Sequence, residues 1–263
     1  MKFRLCAATL VAAMAIPAAS AHTSYLLPTV FTTAKGNFVT LQASFTEDFA
    51  TPEIAVDSDD YHVILPDGAR GDYKSVTPFR QVVILESPLT EDGTYRFTTG
   101  ARLGRSSKVA LVDGEWKPLF EPGAEVPDNA TKIITSQTET VADVYVTKGP
   151  STRASVDAAI GRLAIRPDTH PNEIYLDEGF SLYVTFDGAP LAGQILSLSR
   201  DGGEYEAPKY HKELETDAEG HLNISFDKPG IYLIMTRHRA EAPAGAETDE
   251  RSYTTSLTFE VLR

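Results

Sequence analysis

Short segments in which apolar and polar residues alternate run along almost the whole chain. They are rich in β-branched and aromatic residues and are separated by turn formers, which is typical of antiparallel β-strands. Examples are NFVTLQASF (Asn37–Phe45), RQVVILES (Arg80–Ser87) and TYRFTT (Thr94–Thr99). KVALVDGEW (Lys108–Trp116) contains an Asp-Gly step and predicts a hairpin. The pattern predicts an all-β fold.

The alternation stops between residues 149 and 171, where Gly and Pro flank one stretch that favours a helix, Arg153–Ile160. Strand-like segments resume after it and continue to the end of the sequence. We therefore predict an N-terminal β-sandwich domain over residues 22–148, a linker over residues 149–171 and a C-terminal β-sandwich domain over residues 172–263.

A Gly-x-Tyr step stands just before an alternating strand in each half of the chain, in GTYRF and in GIYLI. This resembles the tyrosine corner of immunoglobulin-like sandwiches, in which the Tyr hydroxyl bonds back to the preceding loop. Tyr95 and Tyr232 are therefore predicted to be structural, with Phe97 and Ile234 pointing inward. The fold expected is two immunoglobulin-like β-sandwiches in tandem.

The first residues have the features of a secretory signal. Two basic residues precede an apolar run, Cys6–Ile16, and Ala19 and Ala21 occupy the small-residue positions that a signal peptidase reads. We predict a signal peptide over residues 1–21, with His22 first in the mature chain and the periplasm as destination. The alternative is an uncleaved anchor, although the run is shorter than the roughly 20 residues that span a membrane.

Composition limits the chemistry further. The only cysteine lies in the predicted signal peptide, so disulfides, thiolate metal sites and cysteine nucleophiles are excluded from the mature chain. The full chain carries 24 basic and 37 acidic residues, a net charge of −13. Such a surface repels nucleic acid and concentrates cations around it. We expect no nucleic-acid partner and no membrane-spanning segment in the mature protein.

Several segments together resemble a known family. They are AHTSYLLP, ASFTEDF, GARLGRSSKVALVDGEW, THPN, FDGAPLAGQ and TDAEGHLNISFDKPGIYLIMTRHR. The mature chain is similar over its whole length to an uncharacterised family of exported bacterial proteins described as the periplasmic component of cobalt/nickel transport systems. Its C-terminal half also resembles carboxypeptidase-regulatory or prealbumin-like modules. The resemblance implies a nickel or cobalt ion as ligand, and a membrane transporter or TonB-dependent outer-membrane receptor as partner.

His22 is the main candidate metal ligand. A histidine at the start of a chain offers its free α-amine and its imidazole Nδ1 to the same ion, which no internal histidine can do. An α-amino pKa of about 7.7–8.0 means that the metal displaces only a weakly held proton. Such a nitrogen donor pair suits nickel, cobalt, copper or zinc. The alternative is that a histidine follows the cleavage site by chance.

His62 and His170 are the candidates for a second ligand. His62 stands beside three aspartates in DSDDYHV, and the alternative is a solvated acidic loop leading into a strand. His170, in THPN, lies in the predicted linker between the domains, where a residue can reach either of them. The alternative is a histidine that caps a turn. For His211 and His221 solvent exposure is expected, and two arginines flank His238.

Two functions remain open, and neither is enzymatic. The first is a periplasmic metal-binding protein with His22 as anchor; the second is an adhesion or scaffold module that binds protein or glycan without metal. No G-x-S-x-G or H-E-x-x-H motif is present in the sequence. A third reading is a copper-binding protein or copper oxidase with an N-terminal histidine site. It needs a flat aromatic surface, whereas Trp116, the only tryptophan, is expected to pack on the core.

Overall fold

The computed structural model of the protein describes residues 22–119 and 125–263, and the predicted signal peptide, residues 1–21, lies outside this part of the chain. Helical structure there consists of a short α-helix, α1 (Ala154–Asp157), and a 3₁₀ turn, Gly203–Tyr205. In these two ranges no helix is both long and apolar enough to cross a membrane. Strands form the rest of the regular structure, which confirms the all-β prediction.

The described residues in the first half of the chain form twelve strands. They are β1 (Thr23–Pro28), β2 (Thr32–Thr33), β3 (Phe38–Thr46), β4 (Ile54–Ala55), β5 (His62–Ile64), β6 (Arg70–Gly71), β7 (Ser75–Pro78), β8 (Val83–Pro88), β9 (Gly93–Thr98), β10 (Arg102–Val112), β11 (Glu115–Leu119) and β12 (Ala130–Lys148). The predicted Lys108–Trp116 hairpin is the β10–β11 pair, and Asp113 and Gly114 at its turn both have positive φ.

The second half contributes nine more. They are β13 (Leu163–Pro167), β14 (Ile174–Tyr175), β15 (Phe180–Phe186), β16 (Ala189–Pro190), β17 (Ile195–Arg200), β18 (His211–Glu215), β19 (His221–Ile224), β20 (Gly230–Glu241) and β21 (Glu250–Leu262). In β19 and the residues after it, apolar side chains are buried and alternate with outward His221, Asn223 and Ser225, as the sequence predicts.

These strands form three sheets. The first has the order β1-β3-β8-β7 with β4 beside β3, and the third has the order β13-β15-β16 with β19 beside β15. The central sheet follows β18-β17-β20-β21-β12-β9-β5-β6 and also includes β2, β10, β11 and β14. β12 pairs antiparallel with β9 and β10 and parallel with β21, so both halves of the chain share one continuous sheet.

The two main hydrophobic cores lie on opposite faces of β12. Ala142, Val144 and Val146 belong to the first core, which includes side chains of the first sheet. Tyr145 belongs instead to the second core, which includes side chains of the third sheet. Since successive side chains of a strand point to opposite faces, each outer sheet covers one face of the central sheet. The prediction of two β-sandwiches is confirmed.

Both predicted tyrosine corners are present. The hydroxyls of Tyr95 and Tyr232 each donate a hydrogen bond to the carbonyl oxygen four residues earlier, at 2.9 and 2.7 Å. Phe97 and Ile234 are completely buried, as expected for inward positions. Each corner therefore joins the loop before a strand to the strand itself, which is the structural role predicted for the two tyrosines.

Gly93, at the first corner, cannot be replaced by a residue with a side chain. Its φ is +130°, a region that only glycine enters without strain. A Cβ there would also lie 2.6 Å from the Cβ of Pro66. The Gly-x-Tyr step is thus required both by backbone conformation and by close packing.

The residues between the predicted domains pack as a layer on the central sheet. Residues 149–171 contain α1, which is shorter than the helix expected, and β13, which is part of the third sheet. Ser155 Oγ donates to the carbonyl oxygen of Thr94 at 2.6 Å, and Arg96 donates to that of Ala158 at 2.6 Å. The segment therefore covers the face of β9 opposite the first core.

Candidate metal centre

Three strand ends bring His22 together with two carboxylates. β3 lies between β1 and β4, with Thr23 opposite Thr46 and Ile54 opposite Phe45. His22 precedes β1, Glu47 follows β3 and Glu53 precedes β4. This register places the three side chains side by side at one end of the first sheet. We call His22, Glu47 and Glu53 the N-terminal corner.

Glu53 is the closest partner of His22 in this corner. Its Oε2 lies 2.9 Å from His22 Nε2, and Glu47 Oε1 lies 3.9 Å from the same nitrogen. Glu53 Oε1 accepts a hydrogen bond from the Glu47 amide at 2.8 Å, so both carboxylate oxygens are held. All three side chains are partly accessible to solvent, His22 at 38 %. A small ion can therefore reach the corner from solution.

The loop between β3 and β4 is anchored to the second half of the chain. Phe49 is buried with Tyr25 and Leu233, and its ring meets that of Tyr25 edge to face at 5.6 Å between centroids. Asp48 forms an ion pair with Lys209. Because the loop is fixed at both of these points, Glu47 and Glu53 are presented to His22 by a supported backbone rather than by a free loop.

The contact with Glu53 determines which ring nitrogen of His22 is available. An ionised carboxylate only accepts hydrogen bonds, so the imidazole donates its Nε2–H to Glu53, and in the neutral ring the lone pair is then on Nδ1. Metal-bound histidines commonly donate their other ring N–H to a carboxylate in the same way. If the chain is cleaved after residue 21 as the sequence predicts, Nδ1 lies on the same residue as the free α-amine. With that amine, the corner would fit a bidentate metal ligand with a supporting carboxylate.

Glu53 was not identified as a site residue from the sequence. It lies 31 residues from His22, and only the β1–β3–β4 pairing brings the two together. An antiparallel pairing of the AHTSYLLP and ASFTEDF segments predicts that a carboxylate within the second segment lies near His22. This pairing predicts Glu47 but not Glu53, because it does not indicate where the strand after β3 lies.

His62 is buried within the central sheet, at 4 % exposure. β5 lies between β6 and β9, and His62 is opposite Thr98. Its Nδ1 donates to the carbonyl oxygen of Asp60 at 2.6 Å, since a carbonyl can only accept. The ring is thus oriented by the backbone two residues earlier and packed among strands.

Two of the three aspartates near His62 are paired with arginines. Asp60 accepts from Arg70 at 2.7 Å and from the Ala101 amide at 3.0 Å. Partial burial acts to raise the pKa of Asp60, but these two hydrogen bonds outweigh it and lower the pKa. Asp57 is paired with Arg102. These carboxylates are therefore engaged by cations of the protein itself.

His170 is buried in a polar network that we call the seam, made of Thr94, Thr147, Thr152, His170 and Asn172. His170 Nδ1 accepts from the Asn172 amide at 3.2 Å, so Nε2 carries the proton and lies 3.0 Å from Thr94 Oγ1 and 3.2 Å from the Thr152 carbonyl. Burial lowers the pKa of His170 below its ordinary value. Both ring nitrogens are occupied, as expected for a neutral histidine that joins segments.

The three candidate histidines therefore have separate sets of partners. His22 faces two glutamates, His62 a backbone carbonyl, and His170 the threonines and amide of the seam. In residues 22–119 and 125–263 no three His, Cys, Asp or Glu side chains are arranged to hold a metal ion. A site at the N-terminal corner consequently depends on the α-amine of His22 as a further donor.

Trp116 is half-buried and does not pack on either main core, contrary to the expectation from the sequence. Val109, Ala110 and Val112 of the same hairpin are buried, but they too belong to neither main core. Lys132 Nζ lies 5.6 Å from the centroid of the indole ring, in a cation–π contact.

Comparison with known proteins gives one family match. The model of the family described as domain of unknown function (DUF4198) matches residues 19–240. No curated protein matches the chain.

Two solved structures overlap with the chain at low similarity. Trypsin-activated alpha-2-macroglobulin from Escherichia coli is 13 % identical, with 90 % of this chain and 16 % of that chain covered and a TM-score of 0.24. The D0-D1 domain of intimin is 10 % identical, with 89 % and 96 % covered and a TM-score of 0.22. This chain thus spans about a sixth of the length of the first of them. At these TM-scores neither overlap carries an argument about fold or function.

Proposed function

This chain belongs to the family described as domain of unknown function (DUF4198), and we propose that it is an exported protein that binds a divalent transition-metal ion through His22. Nickel and cobalt are favoured by the resemblance to periplasmic components of cobalt/nickel transport systems. Copper and zinc suit the same nitrogen and oxygen donors. The metal ion is a bound cargo in this proposal, and the protein catalyses no reaction.

The observation that carries the proposal is the contact between His22 Nε2 and Glu53 Oε2 at 2.9 Å. Because Nε2 is hydrogen-bonded to this carboxylate, Nδ1 is the ring nitrogen that can bind the metal ion. Removal of residues 1–21 adds the α-amine on the same residue. Amine and Nδ1 together close a six-membered chelate ring on the metal, which needs no movement of a distant residue.

Glu47 supplies a further oxygen donor or a neutralising charge. Its carboxylate lies 3.9 Å from His22 Nε2 and is half exposed. A carboxylate beside a bound dication favours the ion through direct attraction. The overall negative charge of the protein acts in the same direction, since it raises the concentration of cations at the surface.

The proposed setting is the periplasm, with a membrane transporter or a TonB-dependent receptor as partner. The signal-like residues 1–21 support export, and the resemblance supports the partner. An accessible corner at the end of a rigid sandwich suits transfer, because a partner can approach the ion from the solvent side. His62 and His170, each held in local hydrogen bonds, have no part in this proposal.

Metal titration of the mature protein tests the proposal. Protein that begins at His22 is titrated with Ni²⁺, Co²⁺, Cu²⁺ and Zn²⁺ by calorimetry, beside His22→Ala and the exposed control His211→Ala. We expect one ion per chain, bound by the wild type and the control and lost in His22→Ala. Equal affinity in all three proteins would show that the corner is not the site.

Mass spectrometry of protein exported by a bacterial host tests the premise. A mature chain that begins at His22 has the required amine. A chain cleaved elsewhere, or not cleaved, lacks it, and the proposed site then cannot form.

A further inference from the structure

The outer face of the third sheet carries two rows of polar and aromatic side chains. Tyr183 of β15 lies directly opposite Arg166 of β13 on one side and His221 of β19 on the other. Ser181 lies opposite Asn223 in the adjacent row. Side chains two apart on a strand share a face, so these groups all project away from the second core.

Hydrogen bonds connect the rows into one network. Ser181 Oγ lies 2.8 Å from His221 Nε2 and 3.3 Å from Asp168 Oδ2. The imidazole of His221 packs against the Tyr183 ring, with 4.7 Å between the ring centroids. One side of the tyrosine is thus supported by a histidine whose orientation is fixed by the serine. The other parts of the ring are exposed, 40 % of the residue in all.

A cavity of about 310 Å³ lies beside this tyrosine. Its lining includes one aromatic ring, two arginines and three carboxylates: Tyr183, Arg153, Arg166, Asp157, Asp168 and Glu219. Its volume is at the lower end of the range of about 300–1,000 Å³ that is usual for small-molecule sites. One or two linked rings of a small ligand would fill it.

The charges around the cavity nearly balance. Two arginines face three acidic side chains, and Arg153 is paired with Asp157 at 2.8 Å. A cavity of this kind attracts neither an anion nor a cation strongly. It offers hydrogen-bond donors from arginine and acceptors from carboxylates at its edge, together with one exposed aromatic ring. The matching ligand is electrically neutral, rich in hydroxyl groups and apolar on one face.

We propose that this cavity binds a neutral saccharide. A pyranose ring presents C–H groups on one face, which pack on the negative face of an aromatic ring. Its hydroxyls both donate and accept, so that they can bond to Arg166, Asp168 and Glu219 at once. Tyr183 is the stacking platform, and His221 positions it from behind.

This site is independent of the proposed metal function. None of its residues belongs to the N-terminal corner, and binding of a neutral sugar requires no cation. The two proposals can therefore fail separately.

A printed array of neutral and acidic glycans, from mono- to tetrasaccharides, tests the site with mature protein in EDTA. We expect binding to neutral glycans, and calorimetry with the strongest of them then measures the variants. Tyr183→Ala removes the platform and is expected to weaken binding by at least about tenfold. Tyr183→Phe retains the ring and should bind within a few-fold of wild type, a difference that a simple folding defect would not produce.

Matched controls locate the site on this face. Tyr205→Ala removes the most exposed of the tyrosines, at 86 % exposure outside the cavity, and should leave affinity unchanged. His22→Ala should also leave it unchanged. The proposal is overturned if no glycan binds, if Tyr183→Ala binds as the wild type does, or if only acidic glycans bind and added salt abolishes their binding.

Discussion

The N-terminal corner and the seam each place a histidine among polar groups, and they leave its ring nitrogens in opposite states. In the corner, His22 is 38 % exposed and uses one nitrogen, toward Glu53. In the seam, His170 is 8 % exposed and uses both nitrogens, toward an amide and two oxygen acceptors. Among the described residues, His22 Nδ1 has no hydrogen-bond partner and could bind a metal ion, whereas both ring nitrogens of His170 are already hydrogen-bonded.

The difference teaches that the environment of a histidine decides its role. Buried polar groups must find hydrogen-bond partners inside the protein, and those partners occupy the lone pair that a metal would need. An exposed histidine at a strand end needs no such partner inside the protein, because water can hydrogen-bond to its second ring nitrogen. A metal ion can then take the place of that water. We therefore expect the seam to contribute to stability and, under the proposed function, the corner to contribute to metal binding. The predictions below separate these two contributions.

The largest effect on stability is expected from the Arg96–Asp143 ion pair, which lies beneath the connecting layer of residues 149–171. Arg96 and Asp143 are 3 % and 5 % exposed and meet at 2.5 Å. Arg96→Met leaves the Asp143 carboxylate buried without its cation. We expect the free energy of unfolding, measured by urea denaturation, to fall by about 3–5 kcal/mol.

Two further variants sharpen that result. Asp157→Asn breaks an exposed i,i+4 pair with Arg153 and should cost no more than about 0.5 kcal/mol. The double variant Arg96→Met, Asp143→Leu removes both buried charges and should regain most of the lost stability. A loss below about 1 kcal/mol for Arg96→Met alone would show that this layer is not held as described.

The next largest effect on stability is expected from His170 in the seam. His170→Ala deprives Thr94 and the Asn172 amide of a partner and leaves a gap in a buried network. We expect a loss of about 2–3 kcal/mol in unfolding free energy, with metal affinity unchanged. Stability is measured by urea denaturation and affinity by calorimetry. A loss of metal binding in the folded variant would join the two regions that this account separates.

Substitution of Glu53 should change metal affinity without changing stability. Glu53→Gln keeps the size of the side chain but removes the charge that orients His22. Loss of such a supporting carboxylate typically weakens metal binding by about 10–100-fold, and we expect a value near the lower limit because the corner is exposed. Calorimetric titration measures it, with Glu213→Gln on exposed β18 as control. An unchanged affinity would remove Glu53 from the site.

The smallest effect is the pH dependence of stability. The pKa of folded His170 is lowered, so on acidification the unfolded chain takes up a proton near its ordinary pKa of about 6.5 while the folded chain does not. Stability therefore falls as pH drops below about 6.5, by at most about 1.4 kcal/mol per pH unit from this group.

Urea denaturation of wild type and His170→Gln between pH 7.5 and 5 measures this slope. The variant should lose less stability on acidification than the wild type. His238, whose pKa is also lowered by burial, contributes in the same direction in both proteins and cancels in the comparison. Identical slopes would contradict the buried, neutral state of His170.

Much of the fold could be predicted from local patterns. Alternation identified strands such as β9 and β19, and the Gly-x-Tyr steps located Tyr95 and Tyr232 at their corners. These features depend on neighbours a few residues away, so the sequence displays them directly. The continuous central sheet could not be read in this way, because the parallel pairing of β12 with β21 joins residues more than 100 positions apart.

The candidate site shows the same limit. His22 was identified because its chemistry follows from its position in the chain. Glu53 was missed, since its place beside His22 depends on which strand lies next to β3. His62 was selected for the aspartates beside it in the sequence, and His170 for its position between the two predicted domains. Their burial, which depends on how strands and the connecting layer pack, became visible only in three dimensions.

The central claim is that the α-amine and Nδ1 of His22 hold one metal ion together, and blocking the amine tests it. Calorimetric titration with Ni²⁺ and Cu²⁺ compares the mature protein with a form whose His22 α-amine has been acetylated. Acetylation converts the amine into an amide, adds no new amine, and leaves the imidazole and both glutamates in place. We predict a loss of affinity of at least about 100-fold. Equal affinity in the two forms would contradict the account.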